Sequence, residues 1–223
     1  MIRTGREKIL TVEDPVEYEL PGVPQVPVNE KVGVTFAAAL RSLLRQDPDI
    51  IMVGEIRDRE TAQISIEAAL TGHLVLSTLH TNDAPGAITR LIEMGIEPFL
   101  VASSVRCVVA QRLTRVLCPG CKRRVMLDAG VVCDAGFATH YDVEAYEPVG
   151  CARCGGGYRG RLGIYEVMPV SDAIRELTLQ RASAEKIAET ALAEGMRELR
   201  HDAFRKVRLG LTSIDEVVRV LGT

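Results

Sequence analysis

The run Ile50-Ile51-Met52-Val53 constrains this chain more than any other stretch. Four consecutive apolar residues, three of them β-branched, do not alternate as a strand with one wet face would. They predict a strand buried on both faces, the habit of a central strand in a parallel sheet. Gly54, Glu55 and the charged pair Arg57-Asp58 follow where that strand leaves the sheet. Ligands of open α/β sheets bind outside the carboxyl ends of the strands. A carboxylate there can hold a water-coordinated Mg²⁺ or orient an attacking water in phosphoryl transfer. A buried strand ending in a solvated turn reads the same way on this stretch alone.

The neighbouring segments repeat the pattern. Lys8 to Glu13 reads as a short buried strand that ends in Glu13-Asp14-Pro15, a second acidic strand tip. Residues 18–33, rich in proline and glycine, read as an irregular or edge-strand excursion. Thr35 is placed to cap a helix from Phe36 to Arg45, with Phe36, Leu40, Leu43 and Leu44 on one face and Arg41 and Arg45 on the other. Asp58 caps a helix to Leu70 that Gly72 stops. His73 to Leu79 reads as a third buried strand, and its polar tip runs from Ser77 through His80 to Asn82. Asn82 or Asp83 caps the next helix, with Pro85 in its first turn. Pro98 opens another that is expected to continue towards Val109, with Cys107 as a core thiol. Strand and helix alternate from residue 8 to about residue 110, which predicts an α/β fold on a parallel, doubly wound sheet. The phosphate cradle G-x-x-x-x-G-K-[ST] is absent from these 223 residues.

The second half is organised by cysteine. Of six cysteines, Cys118 and Cys121 form one C-x-x-C pair, and Cys151 and Cys154 another. Two such pairs predict a closed Cys₄ structural Zn²⁺ site rather than disulfides or a redox dithiol. Cys133 lies between them as a spare thiol. The stretch from Arg159 to Val167 returns as a strand. Helices follow from Ser171 or Asp172, from Ser183 and from Glu198 to Leu209, and a further, final helix has the capping-box spacing Ser213 to Glu216. The expected domains are 1–113, a partial α/β core; 114–160, the tetracysteine module; and 161–223, a strand and a small helical bundle. Net charge is −3 and aromatic residues are 4%. Arg112, Arg115, Lys122, Arg123 and Arg124 crowd the first knuckle without rings to stack bases, so no nucleic acid partner is expected. Met1 to Arg6 carry no apolar run of a leader, and no segment of about 18 apolar residues could span a membrane.

Together the motifs resemble one family, the secretion and pilus-assembly ATPases of the GspE/PulE/PilB type, which are RecA-like P-loop hexamers. Thr11 to Tyr18 is similar to its Asp box, Asp49 to Asp58 to its Walker B segment, and Gly72 to Asn82 to its His box. Gln111-Arg112-Leu113, the cysteine pairs and Gly163-Ile164-Tyr165-Glu166 fit the same family. The resemblance implies that Glu13 and Glu55 surround the γ-phosphate of ATP with Mg²⁺, one of them polarising water. It implies Asp14 and Arg57 at the same edge, and His73 and His80 as nucleotide sensors. It further implies a homo-hexamer, inner-membrane platform proteins as partners, a cytoplasmic location at that membrane, and pilus or pseudopilus extension rather than retraction. In this family a Walker A loop precedes the Asp box, and Thr11 lies too close to the start of the chain to leave room for it. The expectation is therefore a C-terminal portion that does not hydrolyse ATP alone. The alternative is a non-catalytic assembly or scaffold fragment that binds the secretion platform.

Overall fold

The structure, a computed structural model, describes residues 4–137, 139 and 141–222. Met1, Ile2 and Arg3, read above for a leader, lie outside it. In chain order the elements begin with β1 (Ile9–Glu13), β2 (Gln25–Pro27), α1 (Phe36–Leu44), β3 (Ile50–Val53), α2 (Arg59–Leu70), β4 (Leu74–Ser77), α3 (Ala84–Glu93) and α4 (Pro98–Ser104). They continue with β5 (Cys107–Leu117), β6 (Arg123–Leu127), α5 (Ala129–Asp134), β7 (Val143–Glu147) and β8 (Tyr158–Pro169). The chain closes with α6 (Asp172–Leu179), α7 (Ala184–Ala193), α8 (Leu199–Arg208) and α9 (Ile214–Leu221). Two compact units result, one of residues 1–108 with 169–190, the other of 109–168 with 191–223.

The first unit is built on a parallel sheet in the order β2-β1-β3-β4. The apolar run that opened the sequence reading lies in β3, inside the sheet, and Val12, Ile51 and Val53 are completely buried. Three of the predicted helix starts in this unit have side-chain caps, and the helix opened by Pro98 has none. Thr35 Oγ1 accepts from Ala38 N at 3.2 Å, Asp58 Oδ1 from Thr61 N at 2.8 Å, and Asp83 Oδ1 from Gly86 N at 2.7 Å. Such caps satisfy donors that the first helical turn leaves open. Gly72 takes φ +107°, the positive value that lets the chain leave α2 and re-enter the sheet at once.

Two expectations need correction. The strand after Gly72 is not buried: Leu74 and Leu76 of β4 are exposed. β4 is the last strand of the sheet among the described residues, so one hydrogen-bonding edge and parts of both faces lack cover. The helix opened by Pro98 stops at Ser104, and a strand begins at Cys107. The sequence Val105 to Val109 is largely β-branched, and such side chains are stiffer in a helix than on a pleated sheet. Cys107 is consequently an exposed strand residue and not a core thiol.

In the second unit β5 pairs with β8, and β6 pairs antiparallel with β7 from Arg123 opposite Glu147 to Leu127 opposite Val143. This hairpin, with α5 in its connection, is the insert between the two cysteine knuckles. Ser213 Oγ caps α9 by accepting from Glu216 N at 3.2 Å. The Glu216 carboxylate does not close the capping box predicted from its spacing. It accepts instead from the Arg115 and Arg219 guanidiniums.

Candidate functional site: a carboxylate cleft and a tetrathiol centre

Parallel register brings the acidic tips together. Val12 of β1 stands beside Val53 of β3, so Glu13 and the Gly54-Glu55 pair leave the sheet side by side. The Gly54 N–H donates to Val12 O at 2.8 Å. A Cβ at position 54 would lie 3.3 Å from Val12 O and 3.4 Å from Glu13 Cα. Glycine thus permits the close approach of the two tips. The chain after β4 is tied to the same place: Ile56 N donates to Thr78 O at 3.0 Å, and Thr78 Oγ1 to Gly54 O at 2.7 Å.

The side chains converge accordingly. His80 Nε2 lies 2.9 Å from Glu55 Oε2, and an Arg57 guanidinium N–H donates to Glu55 Oε1. Arg57 also lies 3.3 Å from Asp14 Oδ2. Both oxygens of Glu55 are therefore engaged by basic groups. The Arg57 hydrogen bond holds the Glu55 carboxyl below the usual range against partial burial, with His80 adding to the effect. Glu13 is buried, and its Oε1 accepts from Thr11 Oγ1 at 2.5 Å and from Gln25 Nε2 at 2.8 Å. The cleft between the tips has a volume of about 440 Å³ and is lined by Glu13, Asp14, Glu17, Glu55, Thr78 and His80 among others.

Of the residues singled out in the sequence, Glu13, Asp14, Glu55, Arg57 and His80 meet here. His73 does not. It precedes β4, with Nδ1 2.9 Å from Ala68 O at the end of α2, on the opposite edge of the sheet. The sequence reading overlooked Gln25. Its Nε2 donates to Glu13 Oε1 and to Tyr18 O, and its Oε1 accepts from Leu20 N at 2.6 Å. An amide in a proline-rich stretch gives no signal of this. Only the β1–β2 pairing, with Thr11 opposite Gln25, brings it to the site.

The donor set suits a hydrated Mg²⁺, which takes one or two carboxylates and keeps its waters. It suits a phosphate chain poorly by itself, because carboxylates face the cleft and Arg57 and His80 are already paired.

The second centre is made of sulfur. The Sγ atoms of Cys118, Cys121, Cys151 and Cys154 all lie within 4.8 Å of one another. Cys121 to Cys154 is 3.7 Å and Cys151 to Cys154 is 3.6 Å. Four thiolates at about 2.3 Å around a tetrahedral Zn²⁺ would stand about 3.8 Å apart, so the spacing fits. Cys133 is outside the cluster, with Sγ 3.2 Å from Thr139 O. Two of the thiols are shifted in opposite directions. Burial pushes Cys121 up to about 11, while hydrogen bonds centred on Cys151 outweigh burial at Cys154 and bring it down to about 7.

An open parallel sheet with carboxylates converging at the C-terminal ends of adjacent strands defines the class: an open α/β core with its site at the strand tips. The pilus retraction motor PilT with bound ADP shares this fold, with a TM-score of 0.67 and 27% identity over 95% of this chain and 51% of that one. The Legionella pneumophila ATPase DotB superposes with a TM-score of 0.63 at 22% identity, which speaks for the fold alone. The family model "Type II/IV secretion system protein" matches residues 1–219, and the chain belongs to that family. It is 54% identical over 219 residues to the type IV pilus assembly ATPase PilB of Myxococcus xanthus, covering 94% of this chain and 38% of that protein. It is 51% identical over 220 residues to the type II secretion system protein E of Aeromonas hydrophila, covering 98% of this chain and 44% of that protein. The chain thus spans about two-fifths of the length of these curated relatives. No helix among the described residues is long and apolar enough to cross a membrane.

Proposed function

We propose that this chain supplies the water-activating half of an ATPase site in a machine that extends a pilus or a secretion pseudopilus. The observation that carries the reading is the engagement of Glu55, at the tip of a central parallel strand, beside Glu13 and Asp14 in one cleft. In this reading Glu55 orients and deprotonates the attacking water, and Glu13 and Asp14 hold the waters of Mg²⁺. Bound Mg²⁺ would neutralise charge developing on the phosphates. Arg57 and His80 hold the Glu55 carboxylate in place, and His73 answers to nucleotide state from the other edge of the sheet. The four thiolates hold a structural Zn²⁺ and take no part in the chemistry, since a closed site leaves no open coordination position. The working form is a homo-hexamer at the cytoplasmic face of the inner membrane, bound there through platform proteins.

Phosphates must be cradled by backbone amides and a lysine that these 223 residues do not supply. The chain alone is therefore expected to bind Mg²⁺-ATP weakly and to turn it over undetectably. In a protein that carries this chain together with a phosphate cradle, Glu55→Gln should lower turnover by about 10²–10⁴-fold with little change in nucleotide affinity. A wild-type rate in that variant would remove Glu55 from the mechanism. Turnover by the chain alone that falls in Glu55→Gln would instead show that the phosphates are held without the glycine-rich loop.

A further inference from the structure

Two exposed surfaces, one on each unit, have complementary chemistry, and the first borders the cleft through Glu17. On the first unit the loop Glu17-Tyr18-Glu19-Leu20 stands out: Tyr18 keeps 81% of its surface exposed and Leu20 keeps 44%. Glu17 and Glu19 are exposed beside them. Exposure does not make this loop loose. The Gln25 side chain clasps it at both Tyr18 O and Leu20 N while its Nε2 also reaches Glu13 in the cleft.

On the second unit the β5–β8 ribbon has one buried and one open face. Ala110, Thr114, Ile164, Glu166 and Met168 point inward. One residue away, on the other face by the period-2 geometry of strands, Val109, Leu113 and Val167 are 55%, 47% and 46% exposed. Arg161 lies on that open face and Arg159 just before it, both exposed. Single exposed apolar residues need no explanation, but an apolar strip with basic residues at one end marks an interaction surface.

We infer that the loop Glu17–Leu20 of one copy docks on the outer face of the β5–β8 ribbon of a second copy. Tyr18 and Leu20 would cover Val109, Leu113 and Val167, and Glu17 and Glu19 would meet Arg159 and Arg161. Because the two patches differ, the contact is heterologous, and repetition closes a ring or runs on as a filament. The inference rests on the reading that the protein works as a ring of copies, and it names the surfaces. It also gives docking a route to the cleft: whatever moves Tyr18 or Leu20 pulls on Gln25, and Gln25 holds Glu13.

The test is sedimentation velocity on the full 223-residue chain, loaded with Zn²⁺, over rising concentration and at low and high salt. Wild type should associate, and association should weaken with salt because its charged rim is exposed. Arg159→Glu with Arg161→Glu should weaken it at least tenfold, and Glu17→Arg with Glu19→Arg should do the same. An equimolar mixture of the two double variants should regain wild-type association, because each then offers the charge the other lacks. That rescue also excludes misfolding as the cause of either loss. Wild type that stays monomeric throughout overturns the inference, as does association that neither double variant weakens, or a mixture that fails to regain it. Association untouched by the variants would still leave a ring possible through other surfaces. The ATPase reading is judged separately, by nucleotide turnover and Glu55→Gln.

Discussion

Glu55 in the first unit and Glu216 in the second are both glutamates held by two basic side chains, and the resemblance ends there. The Glu216 side chain is fully buried. It accepts from Arg115 N, from the Arg115 guanidinium at 2.6 and 2.9 Å, and from the Arg219 guanidinium at 2.7 and 2.8 Å. Burial pushes this carboxyl up, but the Arg219 and Arg115 hydrogen bonds outweigh it and hold the group down at about 2. Glu55 has Arg57 and His80, whose side chains are 52% and 85% exposed. Partners so wet hold the carboxylate only weakly, and each of its oxygens keeps a lone pair for a water. The tetrathiol centre stands with Glu216: all its ligands come from this chain and face one another. One region is complete within itself, and the other is poised for something that arrives. Substitutions should therefore damage stability in the second unit and function in the first.

The largest effect is expected at the thiols. Metal binding to a closed Cys₄ site is folding free energy, on the order of 10 kcal/mol. Chelation, or Cys151→Ser, should release one Zn²⁺ per chain and unfold the β6–β7 hairpin and its surroundings. Hydrogen exchange should then show the β1–β3–β4 sheet still protected. Unchanged protection of the hairpin after complete metal loss would place the thiols among the bystanders.

Next comes Glu216→Gln, which leaves two arginines facing an uncharged amide in a buried position. Breaking a buried ion pair from one side typically destabilises by about 3–5 kcal/mol. The pH dependence has a definite sign. The folded-state pKa lies near 2, below the ordinary value of 4.5, so the stabilisation is complete above about 4.5. It is lost as pH falls from there through 2, amounting to about 3 kcal/mol. Denaturant midpoints of wild type and variant should converge across that window. Parallel curves would mean the acid response comes from other carboxylates.

The sequence declared the closed region more readily than the open one. Two C-x-x-C pairs are a ligand list, and geometry only had to bring four sulfurs together. The caps at Thr35 and Asp58 were equally legible, and the next was narrowed to Asn82 or Asp83, because a cap is a local bond across three residues. The acidic tips could be paired from the buried run at Ile50–Val53, since parallel neighbours must emerge on one edge. Other features depend on distant partners. Gln25 reaches Glu13 only through strand pairing. Glu216 was read as half of a capping box because Ser213 is three residues away, yet Arg115, distant in sequence, takes its carboxylate. Leu74 and Leu76 read as buried because an apolar run carries no record of whether another strand covers it.

A smaller effect is expected where the open region is built most tightly. Gly54→Val would push a branched side chain against Val12 O and Glu13 Cα, which a bare Cβ already approaches at 3.3 and 3.4 Å. Overpacking of this kind costs about 1–3 kcal/mol. The damage should centre on the strand tips, so chemical-shift changes should concentrate at Glu13, Glu55 and Thr78 while α2 and α3 keep theirs. A uniform loss of structure would mean the tips are not a separable feature of the sheet.

The smallest effect sharpens the comparison most. Glu55→Gln has the same chemistry as Glu216→Gln and should barely change stability, by less than about 1 kcal/mol, because pairs with exposed partners are worth little. The Arg57 contact lowers the Glu55 pKa, so what stabilisation exists is present above the ordinary carboxyl range and fades as pH falls through the lowered value. Salt should erase most of it, since screening acts on exposed groups. A loss as large as that of Glu216→Gln would make Glu55 a structural anchor, and its place at the cleft would then need no catalytic explanation. A near-neutral result, beside a fall in turnover once the phosphates are held, would show a carboxylate kept in a conformation the fold does not need. Selection for function and not for stability would then account for the difference between Glu55 and Glu216, which share the same chemistry.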